Sequence, residues 1–98
     1  MTSLNILYVE DDQAAAKEIQ MLADQDGHRV AWENTGSGGL KRAGMEAFDV
    51  IILDRMLGDS DGLTVLRRLR ESGVATPVLM LSALGRTSGR SEGLESGA

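Results

Sequence analysis

The chain has 98 residues, of which 15 are Asp or Glu and 10 are Lys or Arg, so its formal net charge at pH 7 is -5. That length fits one domain, and the acidic balance excludes a binder of nucleic-acid backbone, which needs a basic face. Tyr8, Trp32 and Phe48 are too few aromatics for a base-stacking platform, and the absence of cysteine excludes disulfides, thiolate metal sites and cysteine nucleophiles.

The segment from Met1 to Asn5 lacks the charged start and long apolar stretch of a secretory signal. Apolar runs reach four residues, far short of the roughly 20 that cross a bilayer. A cytoplasmic location with no membrane partner is therefore expected.

In chain order, Leu4 to Val9 is rich in consecutive Leu, Ile and Val, the pattern of a strand buried on both faces of a parallel sheet. Ala15, Ile19, Leu22 and Ala23 share one face of a helix spanning Gln13 to Asp26, and Gly27 supplies its C-terminal stop. His28 to Glu33 alternates Val30 and Trp32 with polar neighbours, as a half-exposed edge strand does. Gly36-Ser37-Gly38-Gly39 reads as a loop entering a second helix, Ser37 to Glu46, whose apolar positions are Leu40, Ala43 and Ala47. Val50 to Leu53 is a second fully apolar strand. Leu63, Leu66 and Leu69 mark a third helix from Asp61 to Ser72, with Asp61 as N-cap and Arg67, Arg68 and Arg70 near the negative end of its dipole. Val78 to Leu81 is a last apolar strand. In the tail, Gly85, Gly89, Gly93 and Gly97 recur every fourth residue, a marginal helix former.

Strands alternating with helices predict an α/β doubly wound domain with a parallel sheet, because each parallel return needs a long crossover. Ligands of such sheets bind beyond the carboxyl ends of the strands. There the first strand delivers Glu10-Asp11-Asp12, the third Asp54 and the fourth Ser82. If the first and third strands are neighbours, Glu10, Asp11 and Asp54 crowd together. Two like charges at 4 Å repel by roughly 4 kcal/mol at an effective dielectric near 20, so the cluster needs a proton, a base or a divalent cation. Hard oxygen ligands suit Mg²⁺. Blander readings stand beside this one: Asp12 suits an N-cap, Asp54 a turn, and His28 an exposed strand residue at the opposite sheet edge, which leaves no Ser, His and Asp arrangement. The glycine-rich stretch at Gly36 lacks the Lys of a phosphate loop.

Four ordered segments carry a resemblance: Ile6-Leu7-Tyr8-Val9-Glu10-Asp11-Asp12, Phe48-Asp49-Val50-Ile51-Ile52-Leu53-Asp54, Asp61-Gly62-Leu63, and Pro77-Val78-Leu79-Met80-Leu81-Ser82-Ala83. Together they resemble the receiver domain of bacterial two-component response regulators, most in the style of those preceding a winged-helix DNA-binding domain. The resemblance implies a flavodoxin-like sheet of order 2-1-3-4 and a receiver over residues 1–98 that lacks the family's fifth strand and fifth helix. It implies that Asp54 accepts a phosphoryl group from a sensor histidine kinase or phosphotransfer protein. Mg²⁺ would be held by Asp11, Asp54 and the main-chain carbonyl of Met56, with Glu10 reaching it directly or through water. Ser82 matches the switch hydroxyl and Ala83 the small residue after it. The role implied is regulatory rather than that of a turnover enzyme, with no direct nucleic-acid binding by this segment.

The sequence departs from the family pattern in places. No Lys follows Lys41, so the usual phosphoryl-gripping Lys is not found, and Arg55, Gly58 and Asp59 replace the more usual residues after the nucleophile. An uncovered fourth-strand edge would favour self-association. The alternative reading is a phosphorylation-independent interaction module. A phosphatase of the haloacid dehalogenase group is disfavoured because Met56 stands where that group has a second Asp.

Overall fold

Ile6, Leu7, Tyr8 and Val9 are consecutive and all buried, which a strand achieves only with a covering layer on each side. The computed structural model of the chain describes residues 3–58 and 60–81. Its elements run β1 (Asn5–Val9), α1 (Gln13–Gln25), β2 (Arg29–Glu33), α2 (Gly36–Met45), β3 (Val50–Asp54), α3 (Gly62–Glu71) and β4 (Val78–Leu81). Ser82, Ala83, Asp59 and the glycine-spaced tail lie outside the described residues.

The strands form one parallel sheet in the order β2-β1-β3-β4, as the resemblance implies for these four. From β1 the chain steps one way to β2, then back across β1 to β3. Right-handed crossovers therefore put α1 on one face and α2 and α3 on the other. The face under α2 and α3 holds the main core: Leu7 and Val9 of β1, Ile51 and Leu53 of β3, and Val78 and Met80 of β4 pack with Ala43, Val65, Leu66 and Leu69.

Helix ends follow from their caps. Asp12 caps α1 by accepting from Ala14 N–H at 2.9 Å, and Gly27 turns the chain out of the helix with φ of 81°. Asp61 caps α3 by accepting from Leu63 N–H at 2.8 Å, and Arg70 reaches past its end to the carbonyls of Val74 and Thr76.

Several local expectations are corrected. Gly36 to Gly39 is the first turn of α2, not a loop before it, because Thr35 caps the helix from outside through Gly38 N–H. Ala47 falls beyond α2, since Glu46 is already extended and Ala47 is exposed. Leu22 is 55% exposed, because the stripe of α1 against the sheet runs through Ala16, Ile19, Gln20 and Ala23. Gln20 belongs there because its amide donates to Val30 O of the edge strand. Leu79 is 42% exposed rather than buried: it lies on the α1 face, but α1 packs over β2, at the other end of the sheet. His28 precedes β2 half-buried, its Nδ1 accepting from Leu4 N–H at 3.0 Å.

One glycine sets how the chain returns from β3. Gly62 is buried at the start of α3, and a Cβ there would collide with the Asp54 carbonyl and stand 2.8 Å from Arg55 Cα. Its own N–H donates to the Arg55 carbonyl at 2.7 Å, so this closeness ties α3 to the end of β3. Gly62→Ala is expected to cost about 1–3 kcal/mol by urea denaturation, since backbone cannot yield as a side-chain tip can. Gly44→Ala, inside α2 with open space around its Cβ, is the contrasting case and should stabilise by roughly 0.5–1 kcal/mol.

Candidate functional site

The parallel pairing of β1 with β3 sets Val9 opposite Leu53, so the residue after each strand pair emerges at the same edge of the sheet. Asp54 closes β3, and Glu10 and Asp11 follow β1. Glu10, Asp11 and Asp54 each offer a carboxylate oxygen within 4.8 Å of the others. Glu10 and Asp54 are buried while Asp11 is exposed, so the cluster opens to solvent on the Asp11 side. Asp12 stays out of it, engaged as the cap of α1.

The surroundings supply N–H and O–H groups to these acids. Asp54 Oδ1 accepts from Met56 N–H at 3.1 Å. Glu10 Oε1 accepts from the Tyr8 hydroxyl at 3.0 Å, and Oε2 from Asp12 N–H at 3.2 Å. The main chain of Glu10 is held as well: its N–H donates to Glu33 O at 3.0 Å and its carbonyl accepts from Trp32 Nε1 at 2.6 Å. Among the described residues no buried side-chain polar atom lacks a partner.

Burial, and next the hydrogen bond and charge of Asp54 alongside, hold the Glu10 carboxyl above its usual range; the Asp12 N–H and the Tyr8 hydroxyl pull the other way. Burial and then the Glu10 charge raise the Tyr8 phenol, so it remains a donor at neutral pH.

Of the residues singled out from sequence, Glu10, Asp11 and Asp54 are thus brought together. Met56 adjoins them through its N–H, in a loop closed by an antiparallel bridge between Met56 and Asp61. Gly58 also lies beside the cluster, since a Cβ there would be 3.5 Å from Asp11 Oδ2. Ser82, the expected switch hydroxyl, falls outside the described residues. Sequence reasoning missed Tyr8 and Trp32. Tyr8 could have been found by period two, since it lies two residues before Glu10 and so on the same side of the chain. Trp32 had no such signal, because its approach to Glu10 depends on how β2 pairs with β1.

A carboxyl that binds its proton more tightly folded than unfolded stabilises the fold as acid and loses that contribution on ionising. Without divalent cation, the Glu10 contribution should be fully present below its usual value of 4.5 and be lost as pH rises through its raised folded value. Urea denaturation across that range should show the loss in the parent chain and a flatter profile in Glu10→Gln. An unchanged profile in the variant would assign the pH dependence elsewhere.

The family model described as "Response regulator receiver domain" matches residues 6–98. The transcriptional activator protein PfeR of Pseudomonas aeruginosa is 43% identical over 96 residues, which cover 98% of this chain and 31% of that protein. Across the relatives PfeR, DltR and PcoR, the chain spans about a third to two fifths of their length. Among solved structures, the receiver domain of Francisella response regulator 1452 superposes with a TM-score of 0.87 at 32% identity, covering 98% of this chain and 79% of that one. The receiver domain of the sensor histidine kinase PA1611 from Pseudomonas aeruginosa gives a TM-score of 0.82 at 28% identity, covering 98% and 80%, and holds a magnesium ion in its active-site cleft.

Proposed function

The chain belongs to the response-regulator receiver domain family, and we propose that Asp54 is its phosphoryl acceptor. The observation that carries this reading is the position of Asp54: it closes a central strand, is buried, and has two further carboxylates within 4.8 Å. A lone structural Asp at a strand end has no need of such neighbours. The role is regulatory, as it is for receiver domains in general.

The donor set fits Mg²⁺: hard anionic oxygens gathered in a cluster open to solvent on the Asp11 side, with Glu10 held above its normal carboxyl range by burial first and by Asp54 beside it. Asp11 and Asp54 would hold the ion, with Glu10 beside them and the Met56 main-chain carbonyl as a further oxygen. When bound, it would offset the negative charge of the carboxylates and of the incoming phosphoryl oxygens.

The remaining chemistry belongs to this chain. An Asp54 carboxylate oxygen forms the new bond to phosphorus while the bond from phosphorus to the donor's imidazole nitrogen breaks. Met56 N–H keeps the other geometry of the carboxylate fixed by its bond to Oδ1. The product carries a charge near -2 in place of -1 and additional acceptor oxygens, and this change of charge is the signal. Ser82 is proposed to donate its hydroxyl to the new phosphoryl oxygens, which requires the segment after β4 to have two stable packings.

The proposed donor is a sensor histidine kinase or phosphotransfer protein, the kind of partner with which response-regulator receivers interact. The curated relatives are transcriptional regulators, so control of transcription is the output proposed for the whole protein.

Incubation with Mg²⁺ and acetyl phosphate should add one phosphate to the intact mass of the chain, and Asp54→Ala should abolish the adduct. Omission of Mg²⁺ should suppress it. Folded protein that takes up no phosphate would instead favour an interaction module that works without phosphorylation.

A further inference from the structure

Glu10 is held more closely than its place beside an open pocket requires. Both carboxylate oxygens are engaged, Oε1 by the Tyr8 hydroxyl and Oε2 by Asp12 N–H. Both of its main-chain polar groups are tied to β2 or its side chains, through Glu33 O and Trp32 Nε1. Tyr8 is 2% exposed, so its side chain is withdrawn from bulk water. A buried hydroxyl costs free energy unless it is paired, and an aliphatic side chain would fill a strand position without incurring that cost. Among the described residues the phenol hydrogen-bonds to Glu10 alone, so what the hydroxyl contributes there is control of that carboxylate.

We propose that Tyr8 is a positioning residue for cation binding: its hydroxyl holds the Glu10 carboxylate turned toward Asp11 and Asp54, in the orientation in which the three acids accept Mg²⁺ as a group. Without that bond the ionised carboxylate keeps only the Asp12 N–H and is free to rotate away from the charge of Asp54. The cluster then needs to be reassembled when the ion arrives. Outer partners of metal-binding carboxylates act in this way, and their loss usually weakens affinity by about 10- to 100-fold. This inference rests on the reading of the cluster as a Mg²⁺ site.

Trp32 is the one tryptophan of the chain and its indole N–H is on the Glu10 carbonyl, so its emission reports on the site directly. Mg²⁺ titrations of the full chain, followed by Trp32 emission and checked by equilibrium dialysis, are to be run on the parent, Tyr8→Phe, Glu10→Ala and the double variant. Phe keeps the ring that packs in the sheet and removes one oxygen. Tyr8→Phe should weaken Mg²⁺ binding about 10-fold. In the Glu10→Ala background the same substitution should change affinity by less than about twofold, because its only point of action has gone. A Tyr8→Phe affinity within about twofold of the parent overturns the proposal, and so does an equal weakening in both backgrounds, which would make Tyr8 a packing residue. A parent chain that binds no Mg²⁺ at all defeats the reading of the cluster itself, an outcome distinct from either.

Discussion

Glu10 and Asp54 stand side by side at the carboxyl edge of two paired parallel strands, and both are buried. Parallel pairing leaves them little choice: when Val9 lies opposite Leu53, the next residues of both strands must emerge together. Charges this close repel by several kcal/mol, roughly 4 at 4 Å and an effective dielectric near 20. The structure meets the repulsion locally, with the Tyr8 hydroxyl, Asp12 N–H and Met56 N–H each giving a hydrogen to one of the two acids. A proton or a divalent cation meets the remainder. In the proposed function the same repulsion that opposes folding would favour the binding of a divalent cation, which in turn would offset the charge of the incoming phosphoryl oxygens.

The rest of the fold keeps that edge rigid. Below it, the α2 and α3 face is a continuous apolar core in which Leu7, Leu53, Val65 and Leu69 are almost inaccessible, so neither β1 nor β3 can shift to separate the acids. Above it, Gly62 draws the start of α3 onto the backbone of Asp54 and Arg55, which fixes the course of the loop carrying Met56 and Gly58. On the α1 side the contact is lighter, built from Ala16, Ile19, Ala23 and the amide of Gln20. Asp12 links the two functions of this region, capping α1 with its side chain while its N–H supports Glu10.

Much of this was legible in the chain because its signals are local. Consecutive Val, Ile and Leu marked β1 and β3 as strands covered on both faces, and Asp12, Gly27 and Asp61 marked helix ends, since caps and turns depend on the residues around them. For Leu22 and Leu79, a partner in another element decided the matter. Leu22 fits the apolar stripe of α1 by spacing, yet Gln20 faces the sheet in its place because the edge strand has a carbonyl to satisfy. Leu79 matches its apolar neighbours in type, and its exposure follows from where α1 lies across the sheet.

The alternation of strands and helices, the parallel sheet, and the delivery of Glu10, Asp11 and Asp54 to one edge are written along the chain, because each follows from period, caps and the direction of the strands. How those acids are held depends on contacts between elements. That Tyr8 and Asp12 divide the two oxygens of Glu10, that Trp32 reaches across from β2 to its carbonyl, and that Gly62 lies against Asp54 are all matters of register and close approach. Hydrogen bonds act over about 3 Å. A shift of one residue in pairing would break them while leaving every local pattern in the sequence unchanged.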